Sequence, residues 1–363
     1  MSDAPNFNYN LLSLARNFRG KSQAEVAATS GLNQGHYSRI ENGLLPDGPS
    51  KENAERIAGA LNFPVSFFYQ SDDIAGLPIS VHPMNRKKAS VGERALKQAH
   101  AELNLRLIHL RRYLGAVELD AEVPLPWLDV DEIGGPAEAA RTIRRAWMLP
   151  PGRIRNLTDC CECAGILVVW CDLSAAIDGV TMRVRDLPPC IFLNRNATAD
   201  RMRFSLAHEL GHIIMHRVPT DDIEDEANAF AGELLVPEKE LTQHVIGNRI
   251  TLEFLARQKA FWKVSMAFLL YRIGRLGLAN RHQTEYLWKQ ISSLGWRLRE
   301  PRETDIPFEE PSVFPKMIRL HANELGYNAE GLSELVHFSA DDVRAFYGDH
   351  LRSDGRPKLS VVK

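Results

Sequence analysis

The segment His208-Glu-Leu-Gly-His212 sets two imidazoles four residues apart, with a carboxylate beside the first. On a helix this spacing returns both histidines to one face, so both reach one cation, while Glu209 stands on the adjacent face next to an open coordination position. A divalent ion held there polarises a carbonyl and lowers the pKa of a bound water. A nearby carboxylate takes that water's proton and later passes it to a leaving amine. Peptide hydrolysis is the chemistry the pattern suits, with His208 and His212 as ligands, Glu209 as general base and one zinc ion per chain as cofactor. The same donors also accept manganese.

Such a site needs a third protein ligand, and Ile223-Glu-Asp-Glu-Ala-Asn228 opens a second helix a short loop downstream. Glu224 and Glu226 compete for the role. Two residues apart, they point about 200° away from each other on a helix, so only one faces the metal. The row of Glu224 includes the small residues Ala227, Asn228 and Ala231, which would let the two helices approach closely, and this favours Glu224; spacing alone leaves the choice open. Glu224 also suits a capping role three residues after Asp221. His216 shares the face of His208 and His212, but eight helical residues rise about 12 Å, too far for all three to hold one ion. It is expected in the outer shell or near the oxyanion, unless it simply complements the helix C-terminus.

Around these residues the chain reads as several domains, mainly helical, with a small α+β zincin-like peptidase core. A β-rich run, Ile166 to Cys171, and a shorter one, Cys190 to Leu193, precede the helix of the His-Glu-Leu-Gly-His segment, and a helix from about Asp221 to Leu235 follows. Helical spacing is also expected near Pro136 to Trp147 and from about Val91 to Tyr113. We place an all-α helix-turn-helix bundle at 1–70, a linker and helix at 71–120, the metallopeptidase domain at 121–240, a helical region at 241–300 and a helical C-terminal extension at 301–363. Within 241–300, Leu255 to Leu276 reads as a packed helical pair or a second helix-turn-helix-like element.

In residues 22–42, small Ala27 permits close helix crossing, Gly31 supplies the turn, and Val26, Leu32, Tyr37 and Ile40 offer a shared core. The second helix would begin near Asn33 and expose Gln34, His36, Ser38 and Arg39, side chains able to bond bases or phosphates; Gln23 is available for a phosphate. Arg86, Lys87 and Lys88 are auxiliary phosphate candidates. Double-stranded DNA is therefore an expected partner, and because such readers often pair across two half-sites, so is a second copy of the chain in a homodimer.

The 363 residues carry 44 Lys plus Arg against 46 Asp plus Glu, so DNA attraction must come from a local patch rather than a global field. The longest apolar run, Gly165 to Cys171, is too short for a membrane span. Five cysteines, an odd number, lie at 160, 161, 163, 171 and 190, which points to reduced thiols and a cytoplasmic protein rather than a disulfide framework. Cys160, Cys161 and Cys163 lack a matching second pair and are expected to be buried thiols.

Arg203-Phe-Ser-Leu-Ala-His-Glu-Leu-Gly-His-Ile-Ile-Met-His216 and Glu224-Asp-Glu-Ala-Asn-Ala-Phe-Ala-Gly-Glu-Leu-Leu-Val-Pro237, with the motif at Gln23 to Gly43, resemble the ImmA/IrrE metallopeptidases joined to a Cro/repressor-type helix-turn-helix. The resemblance implies zinc ligands His208, His212 and Glu224, with Glu209 as catalytic carboxylate. It also implies a protein substrate of repressor or antitoxin type, whose cleavage releases genes under stress. A DNA-binding regulator whose peptidase-like domain serves as sensor or scaffold is the competing expectation.

Overall fold

Local capping chemistry sets the first helices. The computed structural model describes residues 6–76, 92–173, 177–218 and 221–351. Asn8 accepts from the N–H groups of Asn10 and Leu11 to start α1 (Tyr9–Phe18). Ser22 and Glu25 form a reciprocal capping box at α2 (Gln23–Ser30), and Gly31, at φ +66°, ends it in the left-handed region that glycine enters without steric cost. Asn33 then caps α3 (Gln34–Glu41). After α4 (Lys51–Leu61) and a 3₁₀ turn at Val65–Tyr69, α5 (Glu93–Leu114) follows. Leu11, Leu12, Val26, Tyr37, Ile40, Ile57 and Leu61 are buried, whereas Leu32 is only half-buried.

A second unit spans residues 120–312. It contains α6 (Val130–Ile133), α7 (Pro136–Ala146), α8 (Leu157–Cys163), the strands β1 (Leu167–Cys171), β2 (Gly179–Met182) and β3 (Cys190–Asn194), and then α9 (Ala199–Met215) and α10 (Ile223–Leu235). The chain continues through α11 (Glu238–Val245), α12 (Leu252–Trp262), α13 (Met266–Arg275) and α14 (Arg281–Ser293). The sheet order is β1-β3-β2, with β1 parallel to β3 and β2 antiparallel to it, pairing Thr181 with Ile191. Two of the strands coincide with the expected apolar runs; β2 does not, because Gly-Val-Thr-Met is short and carries no alternation. Leu206, Leu210, Ile213 and Ile214 of α9 join Ile191 and Leu193 of β3 and Phe230 and Leu234 of α10 in one core.

Helix α9 is tied down by buried charge. Asp200 in its first turn accepts from Lys259 Nζ on α12 at 2.6 Å, and Glu300 accepts from the same amine at 2.7 Å. One turn on, Arg203 pairs with Glu309 and donates to the Ile154 carbonyl at 2.8 Å. The α12–α13 corner, with Lys263 at φ +58° and Ser265 capping α13, buries Trp262, Val264, Leu269, Leu270 and Ile273 in the core of the second unit, so the region expected at 241–300 packs as part of this unit.

Residues 313–351 form α15 (Val313–Asn323), α16 (Ala329–Val336) and α17 (Ala340–Leu351) and share one unit with 6–76 and 92–119. Arg112 pairs with Asp72 at 2.5 Å, Arg19 pairs with Asp342, and Phe338 packs against Phe18 and Phe63 at 5.6 and 5.3 Å. The segments expected as a linker helix and a separate extension are therefore parts of the N-terminal unit, drawn there by aromatic faces that need burial. The stretch 301–312 stays with the second unit, held by Glu309.

Lys259 is 1% exposed and neutralises two carboxylates. Lys259→Met should cost about 3–5 kcal/mol of stability by leaving buried charges unpaired, read from chemical denaturation; an unchanged midpoint would show that Asp200 and Glu300 do not depend on this amine.

Candidate metal centre and recognition helix

One helical turn separates His208 from His212 on α9, and their Nε2 atoms lie 3.1 Å apart. Glu224, in the first turn of α10, brings Oε2 to 3.5 Å from His208 Nε2 and Oε1 to 3.4 Å from His212 Nε2. Four donors arranged tetrahedrally at zinc–ligand distances lie about 3.3–3.4 Å from one another. The two imidazole nitrogens stand near this spacing, and each has a different Glu224 oxygen near it; one ligand atom from each of the three residues lies within 4.8 Å of the others. Glu224 Oε1 is buried and accepts no hydrogen bond, an atom that a cation would satisfy. These three residues fit a zinc ion, and they form the one His/Cys/Asp/Glu group suited to a metal among the described residues.

Close helix approach makes the triangle. A Cβ added at Gly211 would fall 3.1 Å from the Phe230 ring and 3.3 Å from Ala227 Cα, so any larger residue would crowd α10 by a few tenths of an ångström at this crossing. Burial opposes charge on Glu224, but the two imidazoles outweigh it and hold its carboxyl at about 2. His208 is likewise opposed by burial and pushed up on balance by Glu224, Glu209 and Asn228.

The far nitrogen of each histidine is also occupied. His208 Nδ1 lies 3.1 Å from Asn228 Oδ1. His212 Nδ1 lies 2.8 Å from His216 Nδ1, and His216 Nε2 lies 2.9 Å from Glu226 Oε2. His216 thus backs His212 rather than joining the triangle, and Glu226, the rival of Glu224, reaches His216 rather than His208 or His212. Burial, then the neighbouring His212 and His208, lower the His216 pKa to about 4, favouring the neutral ring. Glu226 is raised by burial and by the charges of Asp222 and Asp131.

Glu209 is 2% exposed, and its Oε2 accepts from the Thr181 hydroxyl at 2.7 Å. Thr181 lies on β2, and Gly179 two residues earlier leaves room for the Glu209 side chain, since a Cβ there would stand 3.2 Å from Glu209 Cγ. Neither residue carries a motif, so only the strand position reveals them.

In the N-terminal unit Gln34 and Arg39 of α3 are exposed. His36 Nε2 lies 3.3 Å from Asn53 Nδ2, and the Ser38 hydroxyl accepts from Asn42 at 3.2 Å. Gln23 donates to Glu41 Oε1 at 3.2 Å, inside a buried pair in which Arg16 grips both Glu41 oxygens at 2.8 and 2.7 Å. That buried acid engages Gln23, whose amide was expected on a phosphate. Arg86, Lys87 and Lys88 lie outside the described residues.

Residues 161–274 match the Peptidase M78 family model, described as an IrrE N-terminal-like domain, and residues 12–68 match a helix-turn-helix model. The chain is a fusion of these two domain types. No curated protein matches it. The IrrE-like match begins in α8 and ends in α13, so it takes in the metal triangle, the α9–α10 crossing and the packed α12–α13 corner. The helix-turn-helix match covers α1 to the 3₁₀ turn and supports DNA binding by this unit.

Thr181→Val should keep the side-chain shape but leave a buried carboxylate without its donor, at a cost of about 1–3 kcal/mol. Denaturation of the metal-bound protein measures it. No loss would mean that Glu209 finds another partner.

Proposed function

We propose that the IrrE-like domain is a zinc endopeptidase that cleaves a repressor or antitoxin-like protein, and that the helix-turn-helix unit directs it to DNA. The observation that carries this reading is the triangle of His208, His212 and Glu224 at zinc-ligand spacing beside a buried, oriented carboxylate. When bound, zinc polarises the scissile carbonyl and lowers the pKa of the attacking water. Glu209 would take the water's proton and hand it to the leaving amine. The Thr181 hydroxyl holds one Glu209 oxygen, which leaves the other for that proton. A peptidase tethered at an operator would meet a DNA-bound substrate at raised local concentration.

Five free cysteines suit a reducing compartment, and together with a DNA-directed role they support a cytoplasmic protein. Among the described residues no helix is long and apolar enough to cross a membrane. The near-complete burial of Glu209 favours a second reading, in which the metal domain is a sensor or scaffold for the DNA-binding unit and cleaves little.

Metal analysis of the purified chain separates these readings from a domain without metal. About one zinc per chain is expected, retained in Glu209→Gln and lost in Glu224→Ala; no zinc in the wild type after reconstitution would sink the hydrolase. With a cognate protein substrate, Glu209→Gln should abolish cleavage, and full cleavage would remove Glu209 from the role of base.

For the DNA-binding unit, Arg39→Ala in the full-length protein should weaken binding to the chain's own promoter, and if Arg39 contacts a phosphate the salt slope should fall by about one. Unaltered binding by both Arg39→Ala and Gln34→Ala would remove α3 as the reading helix.

A further inference from the structure

His216 ends α9 in an extended conformation, φ −107° and ψ 121°, while its N–H still donates to the His212 carbonyl at 3.1 Å. The helix can stop there because its last carbonyls are satisfied from outside. The Leu128 N–H donates to Ile214 O at 2.9 Å, and Arg183 donates to Ile213 O at 3.3 Å. Four residues after His212, the His216 ring lies one turn on and packs against it, ring centroids 5.0 Å apart. Both of its nitrogens are then committed, Nδ1 to His212 and Nε2 to Glu226, so neither is free to bind metal.

The direction of these bonds follows from the donor inventory. A carboxylate only accepts, so His216 Nε2 carries a proton and donates to Glu226. Two ring nitrogens 2.8 Å apart share a single proton; with the metal-facing Nε2 of His212 bare, that proton sits on His212 Nδ1 and His216 Nδ1 accepts it. A ring protonated at Nδ1 keeps its lone pair on Nε2, the atom that faces His208 and Glu224. Asn228 Oδ1 selects the same tautomer of His208 in one step. On His212 the selection takes two, through a second imidazole.

Resting on the zinc-site reading above, we infer that His216 and Glu226 are positioning residues, a relay that fixes the His212 tautomer and so delivers its Nε2 lone pair to the metal. The relay raises affinity because the ring need not choose between tautomers when the ion arrives, and because the distant carboxylate polarises the bond chain and strengthens the ligand.

The test is zinc affinity by chelator competition on the full-length protein, with zinc alone as probe, joined to nitrogen-15 spectra of the histidine rings. His216→Phe fills the space without an acceptor and should weaken zinc about 10–100-fold, with the His212 ring divided between tautomers. His216→Gln, whose side-chain oxygen can accept from His212 Nδ1–H, should recover part of the loss. Glu226→Ala should weaken zinc in the wild-type background and add nothing in His216→Phe, as coupled positions require. If His216→Phe does not fold, as judged by its melting in chelator, His216→Gln and Glu226→Ala carry the measurement. Unchanged affinity and an unchanged His212 tautomer, in a wild type that holds one zinc, would overturn the relay and leave the peptidase reading standing. A wild type that holds no zinc would overturn both.

Discussion

The centre depends on how closely two helices can cross. Gly211 and Ala227 meet where α9 and α10 pass, and the missing side chain at 211 sets the separation at which a carboxylate from one helix reaches two imidazoles on the other. Every polar group of the triangle and its surround, apart from Thr181, comes from these two helices or the residue that ends one of them. A larger side chain at 211 would crowd Phe230 and Ala227 of α10, the helix that also carries Glu224, Glu226 and Asn228, so one contact bears on the placement of all three.

Charge buried along α9 serves the same geometry from the other end. Asp200 with Lys259 and Glu300, and Arg203 with Glu309, bind the first turns of the site helix to α12 and to the segment beyond α14. Such pairs contribute little net stability compared with apolar packing, but their hydrogen bonds are directional and fix rotation about the helix axis. Rotation is the degree of freedom a metal site tolerates least, since a few degrees at the backbone becomes a large displacement at an imidazole nitrogen.

Much of the arrangement is legible in the residues. The four-residue histidine repeat, the small residues along α10, and the capping signals around Gly31 each have a local cause that acts wherever such a segment folds. What was not legible depends on pairing across the chain. Strand β2 has four residues and no alternation, so Thr181 and Gly179 carry no sign that they border Glu209. The amide of Gln23 looks available until the Arg16–Glu41 pair is placed beside it. The helix at 93–114 and those after 313 look like a spacer and a tail, since nothing local says that Phe338 will meet Phe18 and Phe63. Glu226 had no visible partner because its contact with His216 joins two different helices, α10 and the end of α9, and neither segment shows it alone.

The corner between α2 and α3 recurs. A helix, a left-handed residue, an apolar residue, a capping side chain and a second helix follow one another at Gly31, at Lys263 and at His337, with φ of +66°, +58° and +50°. At α17 the exposed face offers Asp341 and an Arg344 already paired with Glu330 and Asp341, which is no surface for a polyanion, whereas α3 presents Gln34 and Arg39. Judged by silhouette alone, this polypeptide would hold three readers of the double helix. The outline is a cheap way to reverse a chain, and what separates a reader from a hinge is the electrical character of a few side chains along one rim.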